Sequence, residues 1–294
     1  MSTISVIAPR DAVELATVVR ESTDGLRIRG AGGWLSAGHP VRAAQELRLD
    51  AFAGVRAYVP ADLTISVGAA TTLAELDAAT QAHGQWCPLL SWGDDRATIG
   101  AVIATATAGP AAAALGRPRD LVLGLECVDG LGRVIQAGGR VVKNVAGFDL
   151  TRLMTGAWGT LGVITEVHLR LRSRPAVDET WRVSAAGGDA PAALAHALDE
   201  FCRGPYAPMA SHRDGNEWLV RIGGNTTFVT ASRHALHMLG ACEAADASVW
   251  SAVRVNAAPP PTSLTWRWDA LSRQLKQRFD PRNQLNPGLL GDSA

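Results

Sequence analysis

At 294 residues the chain can hold one large domain, or a main domain with a smaller companion, and 47% hydrophobic residues suffice for real cores. Lys plus Arg and Asp plus Glu balance at 28 each. That removes the electrostatic footprint of a nucleic-acid binder or of a protein held on an anionic membrane, and leaves small molecules or proteins as partners.

The first residues, MSTISVIAPRDAVELATVV, lack a basic region, an apolar core and a small-residue cleavage site, so they read without a signal peptide. Asp11 to Glu21 reads as a helix, with Asp11 as cap and Val13, Leu15, Ala16 and Val19 near one stripe. A strand over Leu26 to Arg29 runs into Gly30-Ala31-Gly32-Gly33, and Leu63 to Gly68 is a second strand. Thr72-Leu-Ala-Glu75 forms a capping box for a helix ending near Gly84. The most apolar tract, Ile99 to Leu115, is Ala-rich and is broken by Gly100, Thr105, Thr107, Gly109 and Pro110, so it is not read as a membrane span.

Further on, Leu121 to Val128 and Arg133 to Ala137 form a hairpin around Asp129-Gly130-Leu131-Gly132. Asp149 to Thr155 is a short helix, and Val163 to Arg172 alternates strictly, as a half-buried strand does. Composition shifts after Arg174-Pro175, which places one domain over 1–175 and a reduced second domain over 176–265. The second contains an Ala-rich helix around Pro191 to Phe201, strands near Trp218 to Ile222 and a loop at His212-Arg213-Asp214. Ala257 to Pro261 reads as a stiff linker, and 266–294 as a helix and tail returning to the first domain.

Three glycine-rich stretches carry the chemistry. Glycines after a strand let backbone N–H groups approach a phosphate, and residues 27 to 33 fit that pattern, although a plain tight turn fits equally. A nicotinamide fingerprint is excluded by Leu35, which stands where a third glycine is required, and the chain has no G-K-[ST] for a P-loop. Thr98 to Ala104 combines small side chains with Thr98 as a possible cap of a helix whose N-terminus favours anions; a tightly packed Ala/Gly helix is the alternative. The third stretch is the most specific. Gly138-Gly139 and Gly156, Gly159, Gly162 bracket the short helix, an expensive arrangement unless backbone approaches something, and Lys143-Asn144 lies between apolar residues.

The segment GGRVVKNVAGFDLTRLMTGAWGTLGVITEVHLRL resembles the FAD-binding domain of the vanillyl-alcohol oxidase (PCMH-type) family, most closely the FAD-binding subunits of bacterial glycolate oxidase. The likeness extends to R-I-R-G-A-G-G at 27–33, G-H-P-V at 38–41, T-I-G at 98–100, A-G-P at 108–110, R-D-L-V-L-G at 119–124, and F-D-P and N-P-G in the tail. It implies an α+β protein in which two subdomains hold FAD between them, with a second, shortened α/β substrate or cap domain. It further implies that Arg29, Gly30, Ala31, Gly32, Gly33 and Trp34 wrap the pyrophosphate, and that Thr98, Ile99, Gly100, Thr105, Gly109 and Arg119 line the diphosphate and ribityl chain. Gly162 and Ile164 would face the adenine end, and Asn286 would approach from the tail.

Departures from the family pattern are informative. Relatives that attach flavin covalently carry a histidine after the glycine pair; here Trp34 follows Gly32-Gly33, which implies non-covalent FAD. Ala101 replaces the second glycine of the usual pair, and residues 176–268 look short for the family's substrate domain. The cysteines, Cys87, Cys127, Cys202 and Cys242, show no C-x-x-C spacing, which argues against an iron–sulfur cluster or zinc in this chain. His234 and His237 lack a third metal ligand, so no metal site is read, and no histidine or carboxylate stands out as a catalytic base.

The resemblance thus implies a flavin subunit of a 2-hydroxy-acid (glycolate or lactate) dehydrogenase complex. Its partners would be a related flavin subunit and an iron–sulfur subunit, in the cytoplasm and peripheral to the inner membrane through those partners. A non-catalytic scaffold subunit with an inherited flavin fold, and an independent FAD-dependent alcohol oxidase, are the alternatives.

Overall fold

A computed structural model describes residues 4–139, 149–185, 191–256 and 268–291. The chain opens with β1 (Ser5–Ile7), α1 (Ala12–Glu21), β2 (Leu26–Arg29) and β3 (Gln45–Arg48), in which β3 lies between β1 and β2 and parallel to both. Asp11 caps α1 by accepting from the amides of Val13 and Glu14 at 2.9 and 2.8 Å. The buried face of α1 is Leu15, Ala16 and Val19; Val13, placed on that stripe from sequence, points into solvent.

Next come β4 (Val55–Val59), β5 (Thr64–Gly68), α2 (Leu73–Gln81), β6 (Gln85–Trp86), α3 (Ile99–Thr105), α4 (Ala112–Leu115), α5 (Pro118–Leu121), β7 (Val122–Asp129) and β8 (Val134–Gly138). The expected capping box starts α2: Thr72 Oγ1 accepts from the Glu75 amide at 3.1 Å and Glu75 Oε2 accepts from the Thr72 amide at 2.8 Å. After α6 (Leu150–Met154) and β9 (Gly162–Arg170), an antiparallel sheet is complete in the order β4-β5-β9-β7-β8.

The alternating strand is therefore real but ends at Arg170. Leu171 leaves the sheet to donate to Leu63 O at 2.7 Å, and β10 (Arg172–Ser173) pairs with β6 instead. The face opposite Val163, Thr165, Val167 and Leu169 is also partly covered, since Ile164 is buried and His168 Nδ1 bonds Ser66 Oγ at 2.8 Å. The Lys143-Asn144 stretch lies outside the described residues, as does the expected linker 257–261.

The remaining elements are β11 (Val177–Ser184), α7 (Pro191–Arg203), β12 (Ala210–Asp214), β13 (Glu217–Gly224), α8 (Thr226–His237), β14 (Ala241–Ala245), α9 (Val249–Asn256) and α10 (Ala270–Phe279). Four strands form a second antiparallel sheet, β12-β13-β11-β14, backed by α7 and α8 through Leu194, Leu198, Val229 and Leu236. His212-Arg213-Asp214 is strand here, not loop. Arg213 pairs with Trp218 and Asp214 with Glu217 across a turn at Gly215 (φ 63°), and β12 is a polar edge strand whose composition resembles that of a loop.

The tail after α10 docks on the first sheet. Leu285, fully buried, bridges to Leu26 and joins Leu15, Leu47, Val128 and Val163 in one core, and burying one such leucine contributes about 1.5–3 kcal/mol. A second core joins β5, α2, α3 and β9 through Ile65, Leu76, Ile103 and Val167. Among the described residues no helix is long and apolar enough to cross a membrane.

Candidate functional site

The C-terminal end of β2, the start of α3, the start of β9 and the docked tail surround a cleft of about 610 Å³, within the range usual for ligand sites. Arg29, Gly30, Ala31, Gly32, Gly33, Trp34, Thr98, Gly100, Thr105, Gly162, Ile164 and Asn286 all line it. Segments far apart in sequence thus meet on one surface. Ile99, Gly109 and Arg119 do not line it. Ile99 is fully buried in the core, Gly109 is pressed against the Leu90 carbonyl, and Arg119 lies on the surface beside Asp120.

The cleft floor is small by necessity. A Cβ on Gly30 would overlap Thr98 Oγ1, and one on Gly100 would come within 2.7 Å of Ala69 Cβ. Gly32 adopts φ 86°, a left-handed conformation, whereas a Cβ on Gly33 would meet nothing within 4 Å. No described residue accepts from the amides of Ala31, Gly32 or Gly33. Unpaired donors on a loop without side chains suit an anionic group lying against backbone.

The start of α3 corrects another expectation. Thr98 is the N-cap residue, yet its side chain makes no capping bond, being turned under Gly30. The Ile99 amide donates to Thr71 O and the Gly100 amide to Ala69 O, both at 2.8 Å, so these first-turn donors are used by protein and are closed to a phosphate.

Charge enters from two sides. On one, Arg27 and Arg29 reach Glu46, which is 4% exposed; Arg27 Nε donates to Oε2 at 3.1 Å, Arg27 Nη2 to the same oxygen, and Arg29 Nη1 to Oε1 at 3.0 Å. Burial pushes the Glu46 carboxyl up, but the two guanidiniums outweigh it and hold the group below its ordinary 4.5. On the other side, Arg96 Nη2 pairs with Asp94 at 2.6 Å, and that hydrogen bond holds Asp94 below the usual carboxylate range.

The tail completes the wall. Asn286 Nδ2 donates to Trp158 O at 2.8 Å, and Trp158 (φ 55°) and Gly159 (φ 69°) are both left-handed, which turns the chain sharply beside the cleft. Arg27, Asp94, Arg96, Trp158, Val255 and Leu289 line the site without having been singled out from sequence. For Trp158 a signal was present, since the bracketing glycines Gly156, Gly159 and Gly162 mark where the chain bends.

Among the described residues of the wall there is no histidine, and its carboxylate, Asp94, is held ionised by Arg96, which makes it a weak base near neutral pH. Cys87 and Cys127 lie in the cores and burial pushes both thiols up to about 12, which removes them as nucleophiles. No group of three or more metal-binding side chains occurs among the described residues. The His234–His237 pair is not one, since His237 instead stacks edge-on against Trp181 at 4.8 Å.

Residues 4–138 match the family model of the FAD binding domain. The chain is 33% identical over 217 residues to glycolate oxidase subunit GlcE of Escherichia coli, an alignment covering 72% of this chain and 59% of the relative. It is 35% identical over 170 residues to D-lactate dehydrogenase of Archaeoglobus fulgidus, covering 56% of this chain and 38% of the relative. The match thus spans less than two thirds of either protein. In fold the chain is similar to alkyldihydroxyacetonephosphate synthase, with a TM-score of 0.73 at 13% identity over 96% of this chain and 76% of that one. The fold is thus similar to that of alkyldihydroxyacetonephosphate synthase, and the match of residues 4–138 to the FAD binding domain model supports FAD as the cofactor.

Proposed function

We propose that this chain, whose residues 4–138 form an FAD binding domain, is the flavin-bearing subunit of a glycolate oxidase-like complex that oxidises a small 2-hydroxy acid such as glycolate or lactate. The observation that carries the reading is the convergence of residues 29–34, Thr98, Gly100, Thr105, residues 162–164 and Asn286 on one cleft with open backbone donors. Bound FAD would supply a two-electron acceptor for the hydride of the carbon bearing the hydroxyl.

In this reading, the glycine loop and Arg29 receive the diphosphate region, and Asn286 fixes the wall behind it. Attachment is non-covalent, because Trp34 occupies the position after the glycine pair and offers no imidazole. The absence of a poised base from the described lining residues favours a division of labour. In that division this chain would hold the flavin, a related flavin subunit and an iron–sulfur subunit would accept its electrons, and the substrate proton would be handled within the assembly. Residues 1–175 with the tail 266–294 constitute the cofactor domain, and 176–265 a reduced cap. The complex would work in the cytoplasm, peripheral to the inner membrane through its partners.

The test is purification of the chain alone and with the products of neighbouring genes. A yellow protein whose FAD is released intact by acid or heat is expected. Glycolate or lactate should bleach the flavin in the assembled complex, with electrons delivered to an artificial acceptor. A chain that takes up no FAD overturns the reading; bleaching of the isolated chain would favour an independent oxidase, and a complex indifferent to loss of this subunit's flavin would favour a scaffold.

A further inference from the structure

We infer that α9 is a clamp through which the four-stranded sheet sets one wall of the flavin cleft, with Arg254 as the positioning residue, an inference that rests on the flavin reading above. The buried side chains of α9 are Trp250 and Arg254, one helical turn apart on the same face. Trp250 Nε1 donates to Thr180 Oγ1 on β11 at 2.9 Å, and the indole packs with Ala111, Ala210 and Leu219. That end of the helix is fixed to the second sheet.

Arg254 reaches the other way. Its Nε donates to Ser91 O and its Nη1 to Asp95 Oδ1, both at 2.7 Å, while its own backbone oxygen accepts from the Gly93 amide at 2.9 Å. One residue therefore holds the stretch 91–95 at three points, and Gly93 and Asp94 in its middle line the cleft beside Arg96 and Ala97. Gly93 sits at φ 97°, a bend that only glycine makes readily. The clamp comes from outside the residues that match the FAD binding domain model.

Stability does not explain an arginine at this place. The Arg254 side chain is 6% exposed and that of Asp95 51%, so a cation is desolvated beside a counter-ion still half in water. Arg254 Nη2 and the Ser91 hydroxyl are both buried with no hydrogen-bond partner among the described residues, which disfavours the arrangement further. A methionine would fill the space without these penalties. It cannot hold a carbonyl and a carboxylate in one plane, which is what the guanidinium fork provides. The residue is kept for geometry, and the geometry it sets is the wall of the cleft.

The experiment uses the full chain, stripped of flavin and titrated with FAD. Arg254→Met is expected to keep its far-UV circular dichroism and a cooperative melt while its Kd for FAD rises about tenfold, as for one lost hydrogen bond to a charged group. The visible circular dichroism of the bound flavin should change with it. Arg254→Lys, which restores charge without the fork, should recover part of the affinity. Arg233→Met, which removes a surface pair with Glu179, should leave Kd unchanged. If the methionine variant does not fold, Asp95→Asn carries the test, because its half-exposed side chain can be neutralised without opening the core; a raised Kd is again expected. Wild-type chain that binds FAD with variants that bind it equally tightly and with the same visible spectrum overturns this inference alone. Wild-type chain that binds no FAD overturns the flavin reading and this inference with it.

Discussion

Asn286 and Ile28 are 258 positions apart, and Asn286 Oδ1 accepts the Ile28 amide hydrogen at 2.8 Å. The other end of the same amide donates to Trp158 O, so one side chain ties the tail, β2 and the turn before β9 around the cleft. Asn286→Ala leaves a half-buried N–H and a half-buried carbonyl without these partners and should lower the unfolding free energy by about 1 kcal/mol. Because Ile28 and Trp158 both line the cleft, FAD retention should fall as well. Asn286→Asp keeps the acceptor but turns a carboxylate oxygen toward Trp158 O, and should do no better. Denaturant titration with and without FAD measures both effects; an alanine variant as stable as wild type would show that Asn286 does not hold the tail.

Gly30 and Gly33 stand three residues apart and should respond differently to the same methyl group. In Gly30→Ala the new Cβ overlaps Thr98 Oγ1, so the loop must move and flavin affinity should drop. Thr98→Ala removes the obstructing oxygen, and the double variant should recover most of the loss, a coupling visible in a double-mutant cycle. Gly33→Ala meets no protein atom, so apo stability should hold while FAD binding weakens if backbone contact is made there. Calorimetric melts beside FAD titrations separate the cases.

Much of this site was legible in the sequence because glycine is informative where backbone must bend or lie close to something. Gly30, Gly32 and Gly100 meet those conditions in the structure; the strand-to-glycine pattern marks the first two and the small-residue stretch Thr98 to Ala104 the third. Periodicity likewise located α1 and β9 to within about two residues, the usual uncertainty of element ends. Arg254 and Asp94 were not legible. Their roles depend on chain reversals that bring α9 beside residues 91–95, and no local pattern encodes a contact made across 159 positions. Thr98 departs from expectation for a related reason, since it takes the N-cap backbone position but its hydroxyl lies against Gly30 and makes no capping bond.

Glu46 should make the protein acid-sensitive. Its folded pKa lies below the ordinary 4.5, so the ionised form contributes stability that is complete above that value and is lost as pH falls through the lower one. Glu46→Gln removes this dependence. Denaturation midpoints should therefore decline less steeply with acidification in the variant, while at neutral pH it should be weaker by about 1–3 kcal/mol through loss of the buried acceptor. Parallel slopes for the two proteins would assign the acid transition to other carboxylates.

Lys276 and Asp280 form the most enclosed ion pair among the described residues and anchor the whole tail. Lys276 Nζ donates to Asp280 Oδ2 at 2.7 Å and to Thr160 O at 2.8 Å, while Asp280 also accepts from the amides of Gln284 and Leu285. Lys276→Met strands the buried carboxylate and should lower stability by about 3–5 kcal/mol, releasing the segment that carries Asn286 and with it the flavin. Burial lowers the Lys276 pKa below 10.5 despite the pull of Asp280. The unfolded chain then binds this proton more tightly than the native one, so Lys276 adds stability as pH rises from its lowered folded value toward 10.5, and none of that gain is present below the window. Asp280→Asn should deepen the effect, because the lysine loses the charge that opposes desolvation and its pKa falls further. Chemical denaturation from neutral to alkaline pH should show a steeper rise in relative stability for the asparagine variant, and a flat difference between the two would mean that the amine is solvated rather than enclosed.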